Sequence, residues 1–281
     1  MQVAHIILAH KSPEQLRQLV KSLYHKDSYI YIHIDLKSDI SDFDTIKGCS
    51  NVYFVKKRVS VHWGGFSQVR AVLNSMSEVI EADKPFLYVN LLSGQDYPVK
   101  KLKDFYKYLS DHPRSAFMEY IDDTNSIWLK EAHNRLSQYH FTDLMFPGKY
   151  KIQKIVNAIL PKRNEHSNFQ IVGRSQWFTI DIDSVRYILN FVKREKDIVA
   201  KFKFSWGADE LFFQSILYNS PLKSRLINNN LRYIDWSEGS ASPKTLTLSD
   251  LKKIKLSDCF FARKFDDKPE VLNYIDQNIL C

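Results

Sequence analysis

Two phrases late in the chain set reactive residue types side by side. Trp206-Gly-Ala-Asp-Glu-Leu-Phe-Phe-Gln214 places adjacent carboxylates, Asp209 and Glu210, at the head of an apolar helical run. Cys259-Phe-Phe-Ala-Arg-Lys-Phe-Asp266 places adjacent cations, Arg263 and Lys264, behind an apolar Phe-Phe-Ala run. A carboxylate can accept the proton of an attacking hydroxyl, and a separate cationic pocket can hold a departing diphosphate. Those are the requirements of glycosyl transfer from a nucleotide sugar. Each phrase alone has a plainer reading. An Asp-Glu pair at a helix start commonly caps the helix and meets its dipole, and an Arg-Lys pair is commonly solvated surface.

These residues need a scaffold, and the first third of the chain alternates strand and helix. Strands are predicted over residues 3–9, 29–34, 52–55, 86–92 and 116–120. Helices are predicted over 13–24 with Ser12 as N-cap, over 67–81 and over 99–109. Val69, Val72, Leu73, Met76 and Ile80 recur at helical spacing in the second of these. The near-continuous apolar run at 86–92 suits a sheet covered on both faces. The alternation predicts an α/β fold with a mostly parallel central sheet and helices on both sides. Such sheets bind ligands beyond the carboxyl ends of their strands. Polar phrases fall there: His33-Ile-Asp-Leu-Lys-Ser38, Val61-His-Trp-Gly-Gly65 with glycines suited to a tight backbone path, and Ser93-Gly-Gln-Asp-Tyr-Pro98. The second half is less regular. Residues 129–161 are aromatic and basic without a clear period, an excursion suited to facing an acceptor or only to packing. Beyond it come a strand over 176–180, helices over 184–193 and 209–217, a strand over 231–236, and helices over 249–255 and 269–278.

The 281 residues contain no Pro/Gly/Ser-rich linker, low-complexity tract or repeat, so one continuous domain over 1–281 is expected. The formal charge is +8, compatible with phosphorylated ligands or peripheral contact with an anionic membrane. No RNA-recognition or zinc-finger signature accompanies it, which disfavours a nucleic-acid partner. Cys49, Cys259 and Cys281 are scattered. They suit a reducing compartment better than a disulfide framework or zinc site. With no secretion signal and no apolar run long enough to span a bilayer, a cytoplasmic protein is expected, the inner face of the membrane included.

The ordered phrases carry a resemblance. His33-Ile-Asp-Leu-Lys-Ser38, Trp63-Gly-Gly-Phe-Ser67, Leu92-Ser-Gly-Gln-Asp-Tyr-Pro98, Ser175-Gln-Trp-Phe178, Asp209-Glu-Leu-Phe-Phe213, Asn229-Asn-Leu-Arg-Tyr233 and Phe260-Phe-Ala-Arg-Lys-Phe265 follow one another over residues 3–266. In this the chain resembles the core-2/I-branching β-1,6-N-acetylglucosaminyltransferases and peptide O-xylosyltransferases. The resemblance implies a GT-A-like fold, a UDP-sugar donor carrying N-acetylglucosamine or xylose, inversion at the anomeric carbon and no catalytic metal or other cofactor. It places the base on Glu210 and the diphosphate contacts on Arg232 and Lys264. The animal relatives are disulfide-rich and membrane-anchored. Lacking both features, this chain fits a bacterial type acting on a surface glycan, lipid-linked acceptors included.

The remaining candidates follow from chemistry and position. Asp209 is expected to cap or orient, and Arg263 to be structural. Asp35 is a candidate uridine or ribose contact, with a turn role as the alternative. Ser93 and Asp96 are candidate donor contacts, with Asp96 pinning its loop as the alternative. Trp177 and Trp63 can stack on sugar faces, with core packing as the plainer role. His33 and His62 are expected to be hydrogen-bonded structure. Asp42-Phe-Asp44 and Asp181-Ile-Asp183 match a metal-binding Asp-x-Asp on paper. The second is expected to cap a helix, and neither ends a strand where a donor metal would sit. Two other classes compete. A glycoside hydrolase needs two acids about 5–10 Å apart across the scissile bond, which adjacent acids do not supply. A non-catalytic basic binding protein explains the charge but not Glu210 beside two separated cations.

Overall fold

A computed structural model of the chain describes residues 1–163, 168–267 and 269–280; Cys281 lies outside them. The first half supplies β1 (Gln2–Ala9), α1 (Pro13–Ser22), β2 (Ser28–Ile34), β3 (Val52–Phe54), α2 (Phe66–Glu81), β4 (Phe86–Ser93), β5 (Tyr97–Pro98), α3 (Leu102–Asp111), β6 (Ala116–Ile121), α4 (Ile127–Ser137) and α5 (Lys149–Ile159). The second supplies β7 (Gly173–Asp181), α6 (Ile182–Arg194), α7 (Lys196–Lys203), α8 (Phe212–Tyr218), β8 (Leu226–Asn228), β9 (Arg232–Ile234), α9 (Leu251–Leu256), β10 (Phe261–Arg263) and α10 (Pro269–Ile275).

The main sheet runs β3-β2-β1-β4-β7-β6-β8. The pairings of β1 with β2 and β4, of β2 with β3, and of β6 with β8 are parallel. Only β7 runs against its neighbours β4 and β6. This is the mostly parallel α/β sheet that the alternation and the GT-A-like resemblance imply. Along β1, side chains go alternately to two cores. Ala4 and Ile6 join a cluster with Val69, Val72 and Met76 of α2, Val185 and Ile188 of α6, and Phe212 and Ile216 of α8. Val3 and Ile7 join another with Leu16 and Leu19 of α1, Phe105 and Leu109 of α3, and Val271 and Ile275 of α10. Burial on both faces is why the strands read as continuous apolar runs.

A small sheet, β5-β10-β9, lies apart from the large one. It ties the loop after β4 to the two late basic phrases, with β10 pairing β5 antiparallel and β9 parallel.

Three local expectations fail. Ser12 stands at the N-cap of α1 with φ 54° and makes no capping bond; its hydroxyl donates to Asp267 instead. The continuous helix over 209–217 is broken at Leu211. A 3-10 turn, Ala208–Glu210, precedes α8, and no side chain caps α8, so Asp209 is not its N-cap. Residues 129–161 hold two helices, α4 and α5, where periodicity showed none. Asp181 does cap α6, accepting from the amides of Asp183 and Ser184.

Candidate active site

A cleft of about 830 Å³ opens at the carboxyl ends of the parallel strands. His10 follows β1, Asp35 and Lys37 follow β2, and Ser93 and Gln95 close β4. Because β7 is reversed, it brings its beginning, Arg174–Trp177, to the same edge. The 3-10 turn adds Asp209 and Glu210, α4 adds Trp128, Glu131 and Arg135, and the end of β10 adds Arg263 and Lys264. All five tryptophans of the chain line this cleft. The size matches ordinary small-molecule sites.

Glu210 is held at the wall by close packing beneath it. A Cβ on Gly173, at the start of β7, would stand 2.0 Å from the Glu210 carbonyl oxygen. Only glycine lets the strand and the turn approach this closely. Gly207, at φ 70°, starts the turn. The Glu210 side chain is one-third exposed, at 33%, and its Oε2 is 3.2 Å from Nη1 of Arg135. Burial raises the Glu210 pKa and the Arg135 guanidinium pulls it back, with a net upward shift. Arg135 in turn lies 5.5 Å and 5.2 Å from the ring centres of Trp128 and Trp206. Asp209 is buried, and that burial, with the Glu210 charge beside it, pushes its pKa up to about 7. A carboxyl that keeps its proton near neutrality is a poor permanent base; the more exposed Glu210, steadied by Arg135, is the better one.

The cations separate into two kinds. Lys264 lines the cleft, and its Nζ donates to the Ser242 hydroxyl at 3.1 Å. Arg263 lines it too, with its guanidinium carbon 3.9 Å from the Trp177 ring centre and Nε 3.3 Å from Asp96 Oδ1. That approach is an ion pair without hydrogen-bond alignment, since Nε has no hydrogen-bond partner. Arg232, by contrast, is buried and does not line the cleft. The β4–β7 ladder ends at Asn90 and Thr179, leaving carbonyls of Leu91 and Phe178 where the strands part. Arg232 Nη2 donates to both, at 2.9 Å and 2.8 Å, and to Asn90 Oδ1. Its Nη1 donates to Thr179 Oγ1 and to the Asn230 carbonyl. Arg232 therefore wedges the sheet fork, while Arg263, expected to be structural, pairs with Asp96 and stacks on Trp177 and also lines the cleft beside Lys264.

The other candidates divide similarly. Asp35 lines the cleft and also holds its turn, accepting from the Lys37 amide at 2.9 Å. Ser93 lines the cleft while its hydroxyl donates to Asp96. Asp96 is fully buried, accepts from the Ser93 amide as well, and pins its loop without lining the cleft. Trp177 lines the cleft from a buried position, serving as the platform under Arg263. Trp63, expected to pack in the core, is 64% exposed at the cleft and meets Trp206 edge to face at 5.2 Å. Gly64, at φ 71°, makes the tight path expected there; a Cβ on it would meet Trp206 Nε1 at 2.5 Å. His33 borders the cleft, yet it is held as structure, its Nε2 accepting from the Val59 amide at 2.9 Å. Asp42 and Asp44 are exposed on a 3-10 segment, Ile40–Ile46, whose Phe43 and Ile46 are buried, and Asp181 and Asp183 pair with Arg225. None of the four lines the cleft. Arg135 lies in the stretch without a period and Trp128 just ahead of it, where the sequence pattern marks no strand or helix, which is why sequence reasoning missed them; five tryptophans in one chain was the signal that could have led to Trp128 and Trp206.

The family model described as Core-2/I-Branching enzyme matches residues 3–258. The xylosyltransferase of Ciona intestinalis is 25% identical over 308 residues, covering 98% of this chain and 34% of that protein. Xylosyltransferase 2 of Homo sapiens is 26% identical over 305 residues, covering 98% and 33%. The chain thus spans about a third of the length of the curated relatives it matches. Among solved structures, apo mouse xyloside xylosyltransferase 1 is similar at a TM-score of 0.43 and 10% identity, covering 92% of this chain and 97% of that one.

Proposed function

Because the chain belongs to the Core-2/I-Branching enzyme family, we propose that it is an inverting glycosyltransferase that moves a sugar from a UDP-sugar to a hydroxyl of a glycan acceptor. The observation that carries this reading is the meeting of Glu210, Arg263 and Lys264 in one cleft walled by tryptophans. Glu210 takes the proton of the acceptor hydroxyl as that oxygen attacks the anomeric carbon. UDP leaves from the opposite face, so one displacement inverts the centre. The diphosphate gains negative charge as its bond to the sugar breaks, and Arg263 and Lys264 stabilise that charge where it develops. Asp96 and Trp177 fix Arg263 in place, and tryptophan faces suit stacking against sugar rings. Asp35 and Ser93, at the strand ends, are placed to meet the nucleotide and donor.

The transfer is proposed to need no metal ion, since two side-chain cations already face the cleft. Xylose is the first donor sugar to test, given the names of the relatives, and N-acetylglucosamine the second. A surface polysaccharide, carried on a lipid or free, is the proposed acceptor of a bacterial enzyme. The test is UDP release from UDP-xylose, UDP-N-acetylglucosamine, UDP-glucose and UDP-galactose, with and without glycan acceptors and EDTA. Release from one of the first two, accelerated by acceptor and indifferent to EDTA, is expected. No release from any donor would remove the reading. Loss with EDTA that Mn²⁺ restores would remove the metal-free part of it.

A further inference from the structure

The α5 helix is built inside out. Gln153 and Asn157, four residues apart, face the protein. The Gln153 side chain accepts from the Phe141 amide, and Asn157 exchanges two bonds with the Tyr139 backbone. Ile152, Ile155 and Ile159 recur at i, i+3 and i+7, the spacing of an apolar stripe, yet they point to solvent; Ile155 is 55% and Ile159 74% exposed. No residue of the helix is buried. The loop ahead of it adds Met145, 77% exposed, and Phe146, and Leu160 follows it. The segment is firmly held. Arg163 donates to the carbonyls of Leu136 and Lys201 and to the Ser205 hydroxyl, and Lys149 to the Thr142 carbonyl. The stripe is therefore presented to solvent by a polar inner face rather than left over from loose packing.

Charge indicates what covers it. Residues 144–163 carry Lys149, Lys151, Lys154, Lys162 and Arg163 and no acidic residue. Lys151, Lys154 and Lys162 are exposed beside the apolar stripe. An exposed apolar face flanked only by lysines is the pattern of a helix lying in the interface of an anionic bilayer. We propose that α5 and the loop before it dock this protein onto an anionic lipid surface, with Met145, Ile152, Ile155 and Ile159 entering the apolar boundary and Lys151 and Lys154 meeting the headgroups. The docking element is joined to the segment beside the cleft rim. Asp143, just ahead of it, accepts from the Ser67 amide and hydroxyl at the start of α2, beside the Trp63–Gly65 rim. The proposal stands independently of the transfer reaction.

The test is sedimentation of the full chain with vesicles of phosphatidylcholine alone and of two parts phosphatidylcholine to one part phosphatidylglycerol. The parent is expected to sediment with the second and to stay in solution with the first. Changing Lys151→Gln and Lys154→Gln together should weaken partitioning about 30-fold, at roughly fivefold per headgroup contact. Ile155→Ser and Ile159→Ser should each weaken it about tenfold or more. Because all four side chains are exposed, thermal unfolding of the variants should match the parent. A parent that stays in solution with both vesicles would overturn the proposal, as would isoleucine variants that bind unchanged. So would light scattering showing a dimer that the isoleucine changes split, since a second copy would then cover the face.

Discussion

At the scale of single residues, depth decides which charged group can act. Asp209 and Glu210 are neighbours in sequence, but burial pushes Asp209 up to about 7, while Arg135 holds the raised Glu210 back. A base must be ionised, and burial raises the Glu210 pKa, so the acidic limb of kcat/KM should fall as pH drops through a range above that of an ordinary carboxylate. Arg135→Met removes the group that lowers the Glu210 pKa and should move this limb to higher pH; a limb that stays in place would show that Arg135 does not tune the base. Depth also separates the cations. Lys264→Ala should weaken UDP binding about 10–150-fold, from roughly 1.5–3 kcal/mol per charge-assisted contact, and leave uridine binding unchanged. Arg232→Met should instead lower stability, by about 1–3 kcal/mol for a buried carbonyl left without its donor, because it strips the cation from the Leu91 and Phe178 carbonyls. Its folded molecules should bind UDP as the parent does. Equal UDP affinity in Lys264→Ala and parent would end the assignment of Lys264 to the diphosphate. The phrase Asn229-Asn-Leu-Arg-Tyr233 identified an important arginine but not its depth. Whether a side chain from a three-residue strand enters the cleft or the fork of the neighbouring sheet depends on where β4 and β7 part, which no local pattern encodes.

At the scale of elements, period was legible and inversion was not. Val69, Val72 and Met76 were expected on one face of α2 and are buried there, because that helix packs against an apolar sheet. The α5 helix defeats the same logic: its inner face is amides and its isoleucines point outward, so apolar spacing marks the wrong side. The break at Leu211 was also hidden, since a 3-10 turn and an α-helix share the same apolar run. That turn owes its position to Gly173. Gly173→Ala should push the Glu210 backbone out of place, and a shift on the order of 1 Å at a reacting group can cost about 10²-fold in rate. Turnover of Gly173→Ala equal to the parent would show that the close approach of β7 does not position the base.

At the scale of the whole molecule, the reversed strand is what completes the site. Parallel strands β1, β2 and β4 deliver Asp35 and Ser93 at their carboxyl ends, and β7, running the other way, delivers Arg174–Trp177 to the same edge. The alternation of elements made the parallel half legible. The reversal, and with it the platform beneath Arg263, arises from long-range pairing between segments that local propensity does not connect. No helix among the described residues is long and apolar enough to cross a membrane; the proposed docking face of α5 is a different means of meeting one. The central claim is that a cleft of this construction transfers a sugar with Glu210 as base. Its most direct test measures, on the same folded preparations of parent and Glu210→Gln, UDP affinity and transfer from the preferred UDP-sugar. UDP affinity within a few-fold of the parent, with turnover lowered about 10²-fold or more, is the expected result; turnover within a few-fold of the parent would contradict it.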